Sequence, residues 1–308
     1  MSNNTSFYLV AFSSGGKEIH NICHDFHANL ITAKEVLLIA LDFELRYDLL
    51  LENYLDLETY VLGAAVESSV FPGRGGSLLP NVRHQINRRL SNLLSSARLY
   101  IDQTAHSLSK SSNLPISAAK NFRTRRNKKY DDDPEYRIME ALRNYSQHCG
   151  FPAQSITFGI HLDEREKDFP KNRHSVTFGI LPEMLKKDSA FKPAVAKELE
   201  ELSDKNGCVS AMPIVRRYLS CLAEIHSDLR KELAELFKIS DERFSEAYEM
   251  ARDRQGNAPY ALYSVSEGRS YCDEQPLNKE LISQRTDLEN KTRLSGAFER
   301  RYVSSQQS

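Results

Sequence analysis

The residues of this chain whose types and spacing could do chemistry lie between Glu140 and Gly150, in the segment EALRNYSQHCG. Arg143 carries a permanent positive charge on a planar fork that fits phosphate oxygens. His148 carries an imidazole, the side chain best suited to accept and donate a proton near neutral pH. The pair is therefore either the polar side of a surface helix or an arrangement placed to cut RNA. Asn144, next to the arginine, could orient either group.

Helix geometry predicts where these side chains point. An apolar stripe at helical spacing marks the side that we expect to be buried: Ile138, Leu142, Tyr145 and Cys149. At about 100° per residue, Asn144 and His148 are nearly eclipsed, whereas Arg143 and His148 diverge by about 140°. Two copies of the helix that meet across a two-fold axis would bring both sets into one cleft. Arg and His near a helix end also simply complement the helix dipole, and this alternative stays open.

A dense cluster of basic residues precedes this helix, in a segment that the sequence predicts to be a connecting loop. The cluster consists of Arg123, Arg125, Arg126, Lys128 and Lys129. The formal net charge of the whole chain is only -1, so a nucleic acid would have to be bound by a local patch such as this one. The alternative is a solvated loop without a partner, because charge runs often only keep a segment in water.

The segment R-N-Y-S-Q-H resembles the R-x(4–6)-H signature of HEPN domains, in which the residue after the arginine is often Asn, Asp or His. Arg143 is the only arginine of the chain that is followed by a histidine after four to six intervening residues. The flanking D-P-E-Y-R-I-M-E-A-L and C-G-F-P are similar to uncharacterised bacterial relatives of that group. The resemblance covers about Asp133 to Pro152, and elsewhere it rests on the helical architecture alone.

The resemblance implies a helical bundle that forms a homodimer and acts as an endoribonuclease without a metal or another cofactor. Arg143 and His148 would then be catalytic and Asn144 a supporting polar residue. Family members occur in toxin–antitoxin modules, in CRISPR-associated effectors and in phage-defence systems. RNA would be the substrate, and an antitoxin or another regulatory protein a further partner. The β-ribbon expected directly after the motif departs from the general family pattern.

Two other segments could also do chemistry. The first holds four residues whose side chains suit zinc if the segment is a helix: His20, Cys23, His24 and His27. The sequence offers no second pair of ligands, and apolar residues such as Ile22 and Phe26 already explain the segment as amphipathic. The second segment is the glycine-rich stretch 71–76, which lacks the Gly-Lys-Ser/Thr ending of a phosphate-binding loop and therefore predicts a turn between helices.

Most of the chain has the periodicity of helices. Two strands of period two, SITFGI at 155–160 and SVTFGI at 175–180, predict an antiparallel ribbon with a charged tip around 164–172. The expected helices run from a capping box at 32–35 through Leu57, over 81–109, over 133–150, over 182–202, from Pro213, and after Ser240. An edge strand is expected at 260–265 and a short helix at 278–285.

These elements predict a mainly α fold, an HEPN-like helical bundle with an inserted antiparallel β-ribbon. Four regions are expected: an N-terminal strand or short helix over 1–30, the helical core with the motif over 31–150, the ribbon over 151–182, and a C-terminal helical region over 183–308 that packs on the core. The five cysteines are scattered and suggest reduced thiols. The chain shows neither a signal peptide nor an apolar run long enough to span a bilayer, so a cytoplasmic protein without membrane contact is expected.

The main alternative to a nuclease is a non-catalytic helical adaptor or regulatory protein that binds a protein partner. That hypothesis predicts that Arg143 turns inward to a structural carboxylate, with Glu140 as the candidate. A helical DNA-binding regulator is a third interpretation, but no helix-turn-helix spacing stands out, and the basic cluster does not lie on a recognition helix.

Overall fold

A computed structural model describes residues 5–13, 16–163, 171–188, 191–250, 260–266, 272–278, 280–301 and 303 of the chain. The described residues are mainly helical, with two small antiparallel sheets. The helices are α1 (His24–Val70), α2 (Gly75–Lys110), α3 (Ile116–Asp132), α4 (Pro134–His148), α5 (Pro182–Leu185), α6 (Pro193–Glu201), α7 (Ala211–Met250) and α8 (Glu280–Thr292). The strands are β1 (Thr5–Ser13), β2 (Gly16–Ile22), β3 (Ser155–Asp163), β4 (Lys171–Ile180), β5 (Val209–Ser210), β6 (Tyr260–Ser266) and β7 (Cys272–Leu277), and a short 3₁₀ helix covers Phe298–Arg300.

The chain divides into two compact units, and each is built from three segments. The first unit contains residues 1–45, 104–120 and 228–294, and the second contains 46–103, 121–227 and 295–308. Among the described residues, no helix is both long enough and apolar enough to cross a membrane.

The first unit is organised around a four-stranded antiparallel sheet with the strand order β2-β1-β6-β7. Residues from β1, β6 and the helices form its buried cluster, which includes Leu9, Leu262, Leu37 and Phe244. The fully buried carboxylate of Glu44 accepts hydrogen bonds from the guanidinium of Arg230, with 2.7 Å between Oε1 and Nε. Such pairing satisfies a buried charge that would otherwise be costly.

The second unit holds the motif helix and a three-stranded antiparallel sheet with the order β3-β4-β5. Strand β4 pairs with β3 in a register that places Thr157 opposite Thr177, so the predicted ribbon is confirmed. Residues 164–170 of its predicted charged tip lie outside the described residues. On α2, the residues Val82, Ile86, Leu90 and Leu93 recur at intervals of three or four positions and are buried, as the sequence predicts.

Several predicted boundaries were wrong because local cap signals were overridden. Helix α1 begins at His24 and runs through the apparent capping box at 32–35. Its actual start is capped by Cys23, whose sulfur accepts a hydrogen bond from the backbone amide of Phe26 at 3.4 Å. Helix α7 continues through Ser240, whose hydroxyl donates to the carbonyl of Leu236 at 2.9 Å, within the same helix. The range predicted as one helix, 182–202, contains the two short helices α5 and α6, and the predicted helix near 278 is α8.

Two further expectations need correction. The basic segment 123–129 lies on helix α3 and not in a loop; Phe122 is buried beside it, and Lys and Arg are good helix formers. Strand β6 is not an edge strand, because it pairs with both β1 and β7. The glycine-rich stretch forms the predicted turn between α1 and α2, where Gly73 adopts a φ of 90°, which residues with side chains rarely adopt.

Candidate functional site

Helix α4 carries the motif, and its start is fixed by an ion pair. Asp133 occupies the N-cap position but makes no side-chain cap hydrogen bond. Its carboxylate instead pairs with Arg217 of α7, with 2.5 Å between Oδ1 and Nη2, and lies 3.7 Å from Nζ of Lys129. Pro134 follows at the first helical position, where a missing amide hydrogen costs nothing.

The end of α4 is fixed by backbone and side-chain hydrogen bonds. The amides of Cys149 and Gly150 both donate to the carbonyl oxygen of Tyr145, at 2.8 and 3.2 Å. The buried side-chain amide of Asn87 on α2 forms two hydrogen bonds with the backbone of Ala153. It accepts one from the N–H and donates the other to the carbonyl oxygen, both at 2.9 Å. The chain that leaves the helix is therefore fixed within a few residues of His148.

The predicted buried stripe of α4 is correct in its first half. Ile138 and Leu142 are buried, together with Tyr136 and Met139. Tyr145 is only half-buried and Cys149 is exposed, so the prediction that these two lie in the core was wrong. At this end of the helix the apolar stripe becomes the wall of a cleft.

The cleft, which we call the α4 cleft, has a volume of about 170 Å³ and lies entirely within the second unit. It is lined by residues from the end of α3, from α4 and the residue after it, and from the two residues before α6: Tyr130, Glu140, Ala141, Asn144, Tyr145, His148, Cys149, Phe191 and Lys192. Imidazole, amide, carboxylate, ammonium and aromatic groups thus surround one small space. An arrangement of this kind can bind a polar planar ligand and transfer a proton at its edge.

The α4 cleft separates the residues of the motif. Asn144 and His148 line it, whereas Arg143 is not among the described residues that do so. Arg143 is half-buried, its Nη1 donates to Oδ1 of Asn144, and its Nε is buried without a hydrogen-bond partner. His148 is exposed. Within one chain, the guanidinium therefore does not share the cleft with the imidazole.

Glu140, the carboxylate that the adaptor hypothesis assigned to Arg143, is bound elsewhere. Its Oε1 accepts a hydrogen bond from the hydroxyl of Tyr218 at 2.8 Å, and its Oε2 lies 3.7 Å from Nη1 of Arg98. Over the part of the chain that the structure describes, no carboxylate lies within ion-pair distance of Arg143. The inward salt bridge expected for a purely structural Arg143 is therefore not formed there.

Three residues of the α4 cleft lie outside the motif segment and were missed from the sequence: Tyr130, Phe191 and Lys192. Nζ of Lys192 donates to the hydroxyl of Tyr130 at 3.0 Å, across 62 positions of sequence. The rings of Tyr145 and Phe191 meet edge to face, with centroids 6.3 Å apart. No local pattern could have joined these residues, because the contacts depend on how α6 packs against α4. The other lining residues all lie within the segment 140–150, which the sequence had singled out.

Two groups of the α4 cleft have shifted pKa values. A hydrogen bond to the carboxylate of Asp188 raises the pKa of the Cys149 thiol, and the negative charge of that carboxylate acts in the same direction. Burial raises the pKa of the Tyr145 hydroxyl. Both groups are therefore neutral near pH 7, and the neutral thiol is a poor nucleophile.

The basic cluster of α3 is distributed around the helix and is partly engaged within the protein. Lys129 pairs with Glu224, and it faces Asp133 at the start of α4. Arg126 donates to Oδ1 of Asn127 at 3.4 Å. Arg123 and Lys128 are exposed, and Arg125 is half-buried. Of the five predicted RNA-binding residues, Arg123 and Lys128 are therefore the most accessible to a phosphate backbone.

The histidines outside the motif have different surroundings. His20 lies on strand β2, whereas His24 and His27 lie on α1, so the common helix that would have grouped them is absent. No group of three His, Cys, Asp or Glu residues in the described ranges could hold a metal ion. His226 of α7 is buried: its ring stacks on Tyr47 with centroids 3.8 Å apart, and its Nδ1 shares a hydrogen bond with the Tyr100 hydroxyl.

Comparisons of the chain with family models, with curated proteins and with solved structures found no match.

Proposed function

We propose that this protein is a metal-independent endoribonuclease of the HEPN type that acts as a homodimer. The proposal is supported by the R-x4-H motif at the end of α4 and by the polar cleft beside it. The observation that carries it is that exposed His148 borders the α4 cleft together with Asn144 and Lys192. An imidazole next to an ammonium and an amide is suited to bind a phosphodiester and to move a proton at it.

The proposed reaction is an internal attack within the RNA. Neutral His148 of one copy accepts the proton of a ribose 2′-hydroxyl, and the 2′-oxygen forms a bond to the adjacent phosphorus. The bond between phosphorus and the 5′-oxygen breaks, that oxygen takes a proton from water, and His148 returns its own proton to the hydroxide that is left. The products are a 2′,3′-cyclic phosphate and a 5′-hydroxyl. Arg143 stabilises the extra negative charge of the phosphorane.

A second copy is part of the proposal because one chain does not place Arg143 in its own α4 cleft. In a two-fold dimer with facing α4 ends, Arg143 of one copy would reach the phosphate held beside His148 of the other. Arg123 and Lys128 of α3 would attract the phosphate backbone on its way to the site. A toxin or phage-defence effector, neutralised by an antitoxin or another regulatory protein, is the biological role that we infer for such an enzyme.

The test is cleavage of total RNA by the purified protein in the presence of EDTA. We expect wild type to produce fragments that end in a cyclic phosphate, and His148→Ala to lose at least about 100-fold in rate, since general acid–base catalysis contributes that much or more. His106→Ala is the matched control, because His106 is also exposed and lies near the end of a helix, α2.

Equal cleavage by wild type and His148→Ala would contradict the role of His148. A wild type that folds but does not cleave RNA would favour the second candidate function, a non-catalytic adaptor. One observation supports that candidate: the guanidinium of Arg143 is half-buried and bonded to Asn144 of its own helix. A positioning contact of this kind needs no substrate.

A further inference from the structure

We propose that the α4 cleft is a binding pocket for one unpaired nucleobase and that Glu140 and Asn144 select guanine. The identification of the ligand as part of an RNA rests on the proposed function. The pocket itself rests on the residues that line the cleft, independently of whether any bond is cut.

The size of the cleft fits a single planar ring system. Its volume is about 170 Å³, and the exposed residue His148 is among those that line it. A closed cavity of about 150 Å³ is large enough to hold a benzene molecule. A nucleobase could therefore insert its ring into the α4 cleft, while the ribose and the phosphate stay at the mouth beside exposed His148.

The walls of the cleft are aromatic on more than one side. Tyr145 on α4 and Phe191 before α6 meet edge to face, and Tyr130 at the end of α3 lies on the same cleft. Aromatic side chains bind unpaired bases by stacking, which is how proteins hold single-stranded RNA. Stacking alone accepts any base, so a preference requires polar groups at the base edge.

Glu140 and Asn144 supply such groups. They are four residues apart on α4 and therefore lie side by side on one face of the helix. Tyr218 and Arg98 hold the Glu140 carboxylate, but each of its oxygens has two lone pairs, so acceptor capacity remains. Oδ1 of Asn144 accepts from Arg143, which leaves its Nδ2 as a donor to the cleft.

This acceptor and donor match the Watson–Crick edge of guanine. The Glu140 carboxylate can accept from the adjacent N1–H and N2–H groups, and Nδ2 of Asn144 can donate to O6. Uracil would place a carbonyl oxygen against the carboxylate, and adenine and cytosine offer only one amino group beside a ring-nitrogen acceptor. Arg143 acts in this scheme through Asn144, because its hydrogen bond fixes which end of the amide faces the base.

Lys192 completes the pocket by neutralising the phosphate. Its ammonium has three donors, and one of them is used by the Tyr130 hydroxyl at 3.0 Å. The remaining donors are available to a phosphate oxygen of the bound nucleotide. The hydrogen bond to Tyr130 also holds the flexible lysine side chain at the cleft before the ligand arrives.

The test is equilibrium binding of 3′-GMP, 3′-AMP, 3′-CMP and 3′-UMP to the His148→Ala protein, measured by calorimetry. We expect 3′-GMP to bind at least about tenfold more tightly than 3′-UMP, the discrimination typical of a bidentate base contact. Glu140→Gln should remove this preference, although its amide oxygen can still accept from Tyr218. Glu135→Gln, on the same helix but outside the cleft, should keep it.

A second variant tests the stacking wall separately. Tyr145→Ala should weaken the binding of all four nucleotides, and Tyr145→Phe should retain it. Equal binding of all four nucleotides by the His148→Ala protein, or no effect of Tyr145→Ala, would overturn the base pocket even if wild type cleaves RNA. Selective binding of 3′-GMP by the His148→Ala protein, together with a folded wild type that cuts no RNA, would support the pocket and contradict the nuclease, so the two failures are distinguishable.

Discussion

At the scale of single residues, hydrogen bonds on α4 assign different tasks to neighbouring polar side chains. Arg143 donates a hydrogen bond to Asn144, Asn144 lines the α4 cleft, and the exposed His148 lines it as well. The separation of Arg143 from His148 follows from about 100° of rotation per residue and was visible in the sequence. The hydrogen-bond partner of the Arg143 guanidinium could not be predicted from the sequence, because on a helix both Asn144 and Glu140 are within its reach.

The Cys149–Asp188 pair gives a prediction about reactivity. Asp188→Asn removes the negative charge that raises the pKa of the Cys149 thiol, so the pKa should fall and the thiolate fraction at pH 8 should increase. Alkylation of Cys149 by iodoacetamide should then be faster than in wild type, as measured by mass spectrometry of the modified peptide. Exposed Cys23 is an internal control whose rate should not change. A slower reaction of Cys149 in the variant would contradict this assignment.

At the scale of secondary-structure elements, the position of the α4 cleft depends on how the ends of α4 are held. Asp133 and Pro134 mark the start in the sequence, but the structure shows that Arg217, 84 positions away, binds the Asp133 carboxylate. At the other end, the side-chain amide of Asn87 forms hydrogen bonds with both the N–H and the C=O of buried Ala153. Both ends thus depend on residues that are distant in sequence.

The Asn87 side chain gives a prediction about stability. Asn87→Ala should lower the free energy of unfolding by roughly 2–3 kcal/mol, because it leaves the buried N–H and C=O of Ala153 without partners. Chemical denaturation monitored by circular dichroism measures this loss. Asn87→Asp keeps the acceptor for the Ala153 amide but loses the donor. This variant should also be less stable than wild type. Wild-type stability in both variants would show that the hydrogen bonds between Asn87 and Ala153 do not contribute to the free energy of unfolding.

The elements that were predicted correctly are those whose residues carry their own signal. The ribbon β3–β4 was predicted because β-branched and aromatic residues alternate in it, and α2 because its apolar residues recur at threes and fours. Helix α3 was missed since its apolar residues, such as Phe122, are few and its charges suggested a loop. The start of α1 was missed because Cys23, which caps it, is not among the residues that usually cap helices.

At the scale of the whole molecule, the division into two units could not be read from the chain order. Each unit collects three separate segments, so its core depends on contacts between residues far apart in sequence. The buried pair Glu44–Arg230 is an example, since its members are 186 positions apart in sequence. Periodicity shows which face of a helix is buried but not which distant segment covers it. For this reason Lys192 and Phe191, which complete the α4 cleft, had no signal in the sequence.

The proposed dimer gives the last prediction, which concerns complementation between two inactive variants. His148→Ala and Arg143→Ala should each be inactive alone. If one site takes its imidazole from one copy and its guanidinium from the other, a mixed dimer retains one intact site. Random exchange makes half of the dimers mixed, and one of the two sites in each mixed dimer is intact. About a quarter of wild-type activity should therefore be restored. Co-expression with two different tags, followed by an RNA cleavage assay, measures this recovery.

The control for complementation is a mixture of His148→Ala with the double variant His148→Ala, Arg143→Ala, in which no pairing of chains yields an intact site. It should remain inactive. Recovery in the first mixture but not in the second would locate the two groups on different chains. If the mixed dimers form and remain inactive although wild type cleaves RNA, each chain uses its own Arg143 and His148. The end of α4 would then have to unwind on binding RNA, because the helix holds the two side chains on different faces.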